Sequence, residues 1–542
     1  MFKLWRKFKN LFFTQQTSIL SSALIIALMF GFSRVLGFIR YRVFSYFFTV
    51  EELDLFFASF RLPDMLFDSV VSGVLGYSLI PLVLRYRRQS QERFYKSISV
   101  NLNLFMLFLL VLVVLAIVFA EFLVGLMTPG FDPEQQRIVV YYTRIILATQ
   151  VPFLTIGSVL SAFAQVEKRF LLTALAPLFY NLSIMLITLI FAGSLGLSAL
   201  IFGVVLGSFM YAVSQLGIIK LTDFKYVFSF KPDRSFKDFI LLSSTRVVNL
   251  IVKQLESTVE LALSTLLGLG SYTAFYLAQR LQYLPVSLIG QSISQAAYPF
   301  ISSLSEEGKT KQIAEIIKNN TLLVIFTTVP VSFFLIFART PIVRVFFGGE
   351  KFDWSATVTT AYTVSMFAYS IPFHSLFYLY NKTFFALFKT KIPLIVNSLF
   401  TVVSILISYY FVVFLNKQVW YLALAFTITN TLNTLCLGFY LNRKFRFVDS
   451  HFIIETAKIY AITFLSSVVA YNFMRLVDGL FIETINLITL LVLLGLTCFV
   501  FGSVFVVLAW LVDIKQFLII PKVLSRIERY RRNLIQYFTS VE

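Results

Sequence analysis

Long apolar runs separated by short polar loops set the pattern of this chain. As a helix, about 20 apolar residues cross ~30 Å of hydrocarbon. About fourteen such windows can be counted, near 18–46, 54–84, 99–127, 137–164, 171–193, 197–220, 238–266, 272–303, 316–338, 356–379, 392–415, 419–441, 453–475 and 485–512. The pattern predicts an all-α polytopic membrane protein with about 14 transmembrane helices. Its loops alternate in charge. Arg85, Arg87, Arg88, Arg93 and Lys96 follow the second window, Lys168 and Arg169 the fourth, and Lys220, Lys225, Lys231, Arg234 and Lys237 the sixth. Lys309, Lys311 and Lys318 follow the eighth, Lys382, Lys389 and Lys391 the tenth, and Arg443, Lys444 and Arg446 the twelfth. The intervening loops carry Glu51, Glu52, Asp132, Glu134 and glycines; only the loop after the ninth window mixes Arg339, Arg344 and Lys351 with Glu350 and Asp353. Positive-inside bias therefore places both termini in the cytoplasm.

Two terminal segments qualify that picture. The first run follows Lys3, Arg6, Lys7 and Lys9, lacks a small-residue cleavage site and carries arginines, so it reads as a retained first helix. Residues 513–542 alternate Leu, Ile and Phe with Lys522, Arg526, Arg529, Arg531 and Arg532. They read as a basic amphipathic cytoplasmic tail lying on anionic membrane phospholipids.

Composition agrees with a home in lipid. Of 542 residues 58% are hydrophobic and 13% charged, about half the charged share of a soluble domain, and mean hydropathy is +0.83. The net charge of +19 sits in loops rather than on a basic soluble domain, so topology explains it and no nucleic-acid partner is expected. Cys436 and Cys498 fall in apolar runs and read as two buried thiols, neither a disulfide framework nor a metal site. His374 and His451 share no motif and read as ordinary packed or surface histidines. No metal and no cofactor are expected, and a monomer is.

Charges inside the apolar windows carry the functional signal. Arg34, Arg40 and Arg42 lie in the first, and Arg61, Asp64 and Asp68 in the second. A charge near the bilayer centre costs ~2.5–3.5 kcal/mol, so such groups face a wet cavity, one another or a charged ligand. Snorkelling to the outer surface accounts for Arg40 and Arg42 but not for deeper arginines. A faint repeat strengthens the reading. Ser33-Arg34-Val35 answers Thr245-Arg246-Val247, and Phe56-Phe57-Ala58-Ser59-Phe60-Arg61-Leu62 answers Phe275-Tyr276-Leu277-Ala278-Gln279-Arg280-Leu281. Two six-helix lobes in parallel pseudo-repeat follow, an N-terminal lobe over 1–234 and a C-terminal lobe over 235–447, with two extra helices over 448–512.

Arg246, Asn249, Lys253, Glu256 and Glu260 recur at spacings of three and four, which puts them on one helix face. Toward lipid the four charges would cost on the order of 10 kcal/mol, so the face is internal. It serves either as a structural ion-pair ladder or as cavity lining. Pro63 interrupts the ladder of the second window, and Gly37 lets the first helix bend; both are candidate hinges. Arginine forks bind phosphates bidentately, so Arg34, Arg40, Arg61 and Arg280 are the candidate diphosphate-binding residues. Asp54, Asp64, Asp68, Arg246, Lys253, Glu256 and Glu260 are the candidate charge partners in the cavity. Coupling to Na+ or H+ through Lys253, Glu256 and Glu260 stays open. There is no nucleophile–base pair, metal-ligand spacing or glycine-rich phosphate loop, so a transmembrane enzyme is disfavoured.

SRVLGFIR at Ser33–Arg40, LDLFFASFRLPD at Leu53–Asp64, LAPLFYNLSIM at Leu175–Met185, AFYLAQRLQYLPVSL at Ala274–Leu288 and FFGGEKFD at Phe346–Asp353 resemble, in order, signature stretches of the MurJ (MviN) family of lipid II flippases. That family belongs to the multidrug/oligosaccharidyl-lipid/polysaccharide exporter superfamily. The resemblance implies a fourteen-helix, two-lobe transporter of the bacterial inner membrane. Its implied cargo is lipid II, the undecaprenyl-diphosphate-linked peptidoglycan precursor, moved outward by alternating access. It carries the family's essential arginines onto Arg34, Arg40 and Arg280, its acid onto Asp54, and its basic residue before Leu-Pro onto Arg61. The chain departs from the family at Tyr41, Phe67, Ser72 and Leu261, where charges are usual. Another polyprenyl-linked glycan therefore stays open as cargo, as does, less favoured by the arginines, a cation-coupled multidrug antiporter.

Overall fold

The computed structural model describes residues 19–72, 91–221, 225–232, 236–237, 254–480 and 486–518. Among them the elements are helices, and no strand occurs. Nine of these helices are long and apolar enough to cross a membrane. The chain is an all-α, multi-pass membrane protein. Its surface supports that reading directly. Leu107, Phe108, Leu110, Val111 and Val114 on one helix, and Ile395, Leu399, Val402 and Leu406 on another, stand exposed in continuous apolar faces that water would not tolerate.

Packing divides the chain into two compact units, Met1–Ala274 with Phe346–Ala356, and Phe275–Val345 with Thr357–Glu542. In the first unit α1 is Ile19–Phe47, α2 Val50–Ser59, α3 Arg61–Leu66, α4 Gln91–Val118, α5 Ala120–Met127, α6 Pro133–Val166, α7 Phe170–Leu195, α8 Ser198–Gln215 and α9 254–265. Helices α6, α7 and α8 form a bundle, α1 lies on α7, and α2 and α3 lie on α6. Local chemistry sets the ends. Thr49 begins α2 with a capping box, its hydroxyl accepting from Glu52 N while Glu52 Oε2 accepts from Thr49 N. Asp132 and Gln135 do the same for α6.

Between α2 and α3 the helix breaks at Phe60, three residues before Pro63. Proline has no N–H to give the carbonyl of Ser59 four residues back. The Thr143 hydroxyl of α6 donates to that carbonyl instead, at 3.1 Å. After α3 the chain continues as a π-helical turn, Phe67–Ser72. The other candidate hinge behaves differently: α1 runs without interruption through Gly37.

In the second unit α10 is Ser271–Pro285, whose first residues group with the first unit. It passes through a π-helical stretch, Val286–Gln291, into α11, Ser292–Glu306. Then come α12 Thr310–Phe337, α13 Arg339–Phe347, α14 Trp354–Ala368, α15 Ile371–Ala386, α16 Lys391–Tyr409, α17 Trp420–Phe445, α18 Ser450–Leu480 and α19 Leu487–Leu511. Ile317, Val324, Leu379, Leu437 and Ile459 meet in the core that α12, α15, α17 and α18 enclose. Two expectations about single residues change. Cys436 is half-buried as a packed thiol, but Cys498 is exposed, because its face of α19 also carries the exposed Phe499 and Leu491. Lys382, expected in a loop, lies inside α15 with its ammonium over the Tyr298 ring at 5.4 Å.

Candidate functional site

In the first unit, the break after α2 aims the start of α3 at α9. Arg61 Nε donates to Thr258 Oγ1 at 3.0 Å, and its Nη2 donates to both the main-chain oxygen and Oε1 of Gln254 at 2.5 Å. Gln254 Nε2 in turn donates to Asp68 Oδ2 at 3.3 Å. A cation and a carboxylate of one segment are thus joined through a neutral amide of another. Asp64 stands half-buried on the same segment, and Glu256 half-buried and Glu260 buried on α9. Arg246, Asn249 and Lys253, with the tail helix expected beyond residue 518, lie outside the described residues. The ladder reading of the acidic face therefore rests on sequence. Gln254 and Thr258, the two residues that hold Arg61, were not among the expected ones. Their signal was a polar pair at spacing four inside an apolar run, on a face offset from the charged one.

Arg40 sits half-buried on α1, its guanidinium over the rings of Tyr41 at 4.9 Å and Phe44 at 5.6 Å. Its Nε is buried with no hydrogen-bond partner among the described residues. An unsatisfied, charged donor in a low-dielectric place is costly unless an anion completes it. Arg34 lies half-buried further toward the start of the same helix. Tyr41, where the family usually has an acid, is buried among Phe38, Phe44, Phe57 and Phe347 in edge-to-face contacts. Leu261, another departure, is fully buried.

Asp54 has partners other than the expected arginine. It is 0% exposed, and its carboxylate accepts from Gly270 N at 2.7 Å and Thr273 N at 2.5 Å. These amides open α10, so Asp54 caps the positive end of that helix across more than 200 residues of sequence. Thr273 Oγ1 returns a bond to the Val50 carbonyl at 3.0 Å. Around this clamp two backbones touch without side chains between them. A Cβ at Gly349 would overlap the Ser45 carbonyl, and one at Gly130 would overlap that of Thr265.

In the second unit Arg280 is exposed, its Nη2 donating to Tyr276 Oη at 2.7 Å with the guanidinium 4.6 Å from that ring. Two residues on, Gln282 Nε2 bonds Ser370 Oγ at 3.0 Å and His374 Nδ1 at 2.9 Å. The His374 ring stacks on Tyr378, so this histidine is a packed one. No group of three metal-ligating side chains occurs among the described residues.

A multi-pass helical membrane protein with arginines on α1, α3 and α10 and a proline-broken second helix has the build of a transporter. Solved structures show the same fold. A lipid II flippase MurJ in an inward closed conformation superposes with TM-score 0.74 at 23% identity, covering 90% of this chain and 100% of that one. An inward-facing multidrug resistance MATE family transporter superposes with TM-score 0.67 at 14% identity, covering 76% and 94%. Among curated relatives, a probable lipid II flippase MurJ of Borreliella burgdorferi is 23% identical, the match covering 71% of this chain and 76% of that protein. The family profile described as Lipid II flippase MurJ matches residues 43–492, and the chain belongs to that family.

Proposed function

We propose that this chain flips lipid II from the inner to the outer leaflet of the bacterial cytoplasmic membrane. The observation that carries the reading, beside family membership, is Arg40, a charged donor buried in a membrane helix with its Nε unpartnered. A diphosphate supplies the oxygen acceptors such a donor lacks, and it offers more than one arginine a bidentate grip. Arg34, Arg40, Arg61 and Arg280 are the residues proposed to contact it. While the cargo is absent, Arg61 rests on Gln254 and Thr258 and Arg280 on Tyr276. Neutral polar partners like those of Arg61 release a guanidinium more readily than a buried carboxylate would.

Alternating access between lobes 1–234 and 235–447 is the proposed cycle, with 448–512 as added helices and both termini in the cytoplasm. Release of the Asp54 clamp from the head of α10 is the proposed step that frees the outward end. The working unit is a monomer in contact with phospholipids. Coupling to Na+ or H+ runs through Glu256 and Glu260 in this scheme. Replacing both by Gln is expected to change the pH or sodium dependence of transport in proteoliposomes; an unaltered dependence excludes them from coupling.

Complementation tests the function itself. In a bacterium depleted of its own lipid II flippase, this chain is expected to restore growth and the appearance of lipid II outside. Arg61→Ala and Arg280→Ala are each expected to abolish rescue while the protein still inserts. Failure of the inserted wild-type chain to rescue would assign it a different polyprenyl-linked cargo.

A further inference from the structure

Basic residues collect at one place in the second unit that contains none of the arginines assigned to the cargo. A cavity of about 200 Å3 opens where α15 ends, α16 begins and α17 ends. It is lined by Lys389, Arg443 and Lys444, with Phe384, Leu387, Ile392 and Leu441 as its apolar floor. None of the three cations has a carboxylate partner among the described residues: Lys444 lies over the Phe445 ring at 5.0 Å, and no ion pair involves Lys389 or Arg443. The first turn of α16 adds uncapped donors, because Thr390 makes no side-chain cap and the amides of Lys391 and Ile392 open the helix there. Three cations and a bare helix start around one small cavity match the charge and the oxygens of a phosphate.

What surrounds the cavity decides which phosphate. Phe388, in a left-handed conformation at the end of α15, is 74% exposed beside Lys389. From the cavity the packed pair α16 and α17 presents Leu394, Ile395, Leu399, Val402 and Leu406 on one helix and Leu435 and Phe439 on the other, all exposed. From Ile392 to Leu406 this face runs about 20 Å at 1.5 Å per residue, the length of an acyl chain. A free anion has no use for it.

We propose that this cavity is a binding site for an anionic phospholipid, its phosphate held by Lys389, Arg443 and Lys444 and an acyl chain lying on α16 and α17. In the topology proposed above the lipid belongs to the cytoplasmic leaflet, which is rich in such headgroups. None of the residues lining the site is an arginine assigned to the cargo, so it holds or fails independently of the flippase reading.

Native mass spectrometry of the full chain, released from nanodiscs of mixed phosphatidylglycerol and phosphatidylcholine, tests it. The wild type is expected to retain phosphatidylglycerol adducts at least about tenfold in preference to phosphatidylcholine. K389Q/R443Q/K444Q is expected to lose that preference, and K389R/K444R to keep it. If the triple variant does not elute as a single folded species, R443Q alone decides, with a loss of about fivefold expected. A triple or single variant that keeps the wild-type preference overturns the proposal, as does a wild type that shows none. Two competitors separate the sources. Displacement by millimolar inorganic phosphate would make the cavity a plain anion site. Displacement by undecaprenyl diphosphate at lower concentration than phosphatidylglycerol would make it part of the cargo path. Either result overturns the assignment to phospholipid.

Discussion

A carboxylate enclosed by protein is expensive, and Asp54 offsets that cost with two main-chain amides. Removing its oxygens strands two buried donors, each worth about 1–3 kcal/mol. Asp54→Ala is therefore expected to lower the melting temperature of the purified protein by several degrees in a thiol-dye or tryptophan-fluorescence melt. Asp54→Asn keeps one acceptor and presents a donor to the other amide, so it is expected to fall between the two. An Ala variant as stable as wild type would show that the cap does not hold the fold. The sequence named Asp54 as a charge partner in the cavity, with the arginines as its candidate counterparts. Its real partners, the amides of Gly270 and Thr273, leave no trace in side-chain identity, since any residue but proline supplies an N–H. Arg61 and Arg280 drew attention because charge inside an apolar run is improbable enough to stand out alone.

The break between α2 and α3 shows how one missing N–H is handled at the scale of an element. Pro63 removes a donor and Thr143 of a neighbouring helix replaces it. Thr143→Val should bare the Ser59 carbonyl and destabilise the protein by about 1–2 kcal/mol. Pro63→Ala restores the local donor, so in the double variant the Thr143 effect is expected to shrink, and a thermal-unfolding double-mutant cycle measures that coupling. Additive effects would mean that the carbonyl is served from elsewhere. The same change straightens the segment that carries Arg61, and transport is expected to drop even where stability recovers. The helices themselves were largely readable, since runs of apolar residues and polar loops state them directly. Their junctions were less so: α2 starts at Val50 because Thr49 and Glu52 form a capping box before the apolar run proper begins. The π-helical stretches Phe67–Ser72, Val286–Gln291 and Tyr410–Phe414 have no sequence signature.

At the scale of the whole molecule, one ion pair among the described residues offers a pH handle. Lys318 of α12 reaches Asp449, just before α18, at 2.6 Å. The hydrogen bond from its ammonium holds the Asp449 carboxyl below the usual carboxylate range. A depressed folded-state value contributes stability above the unfolded value, about 4, and loses it as pH falls through the lower folded one. Asp449→Asn is thus expected to melt slightly below wild type at pH 7 and together with it near pH 3; a gap that persists in acid would assign the effect to something other than this pair. A different kind of robustness comes from the contacts at Gly349 and Gly130, where backbone lies on backbone. Side chains elsewhere can drift for long evolutionary times, one aromatic replacing another, while such a seat keeps its shape because no side chain defines it. These two positions are where neutral change ends: a library of all substitutions would return wide tolerance at the exposed aromatics of α16 and α17, and almost none at two residues that contribute no side chain at all.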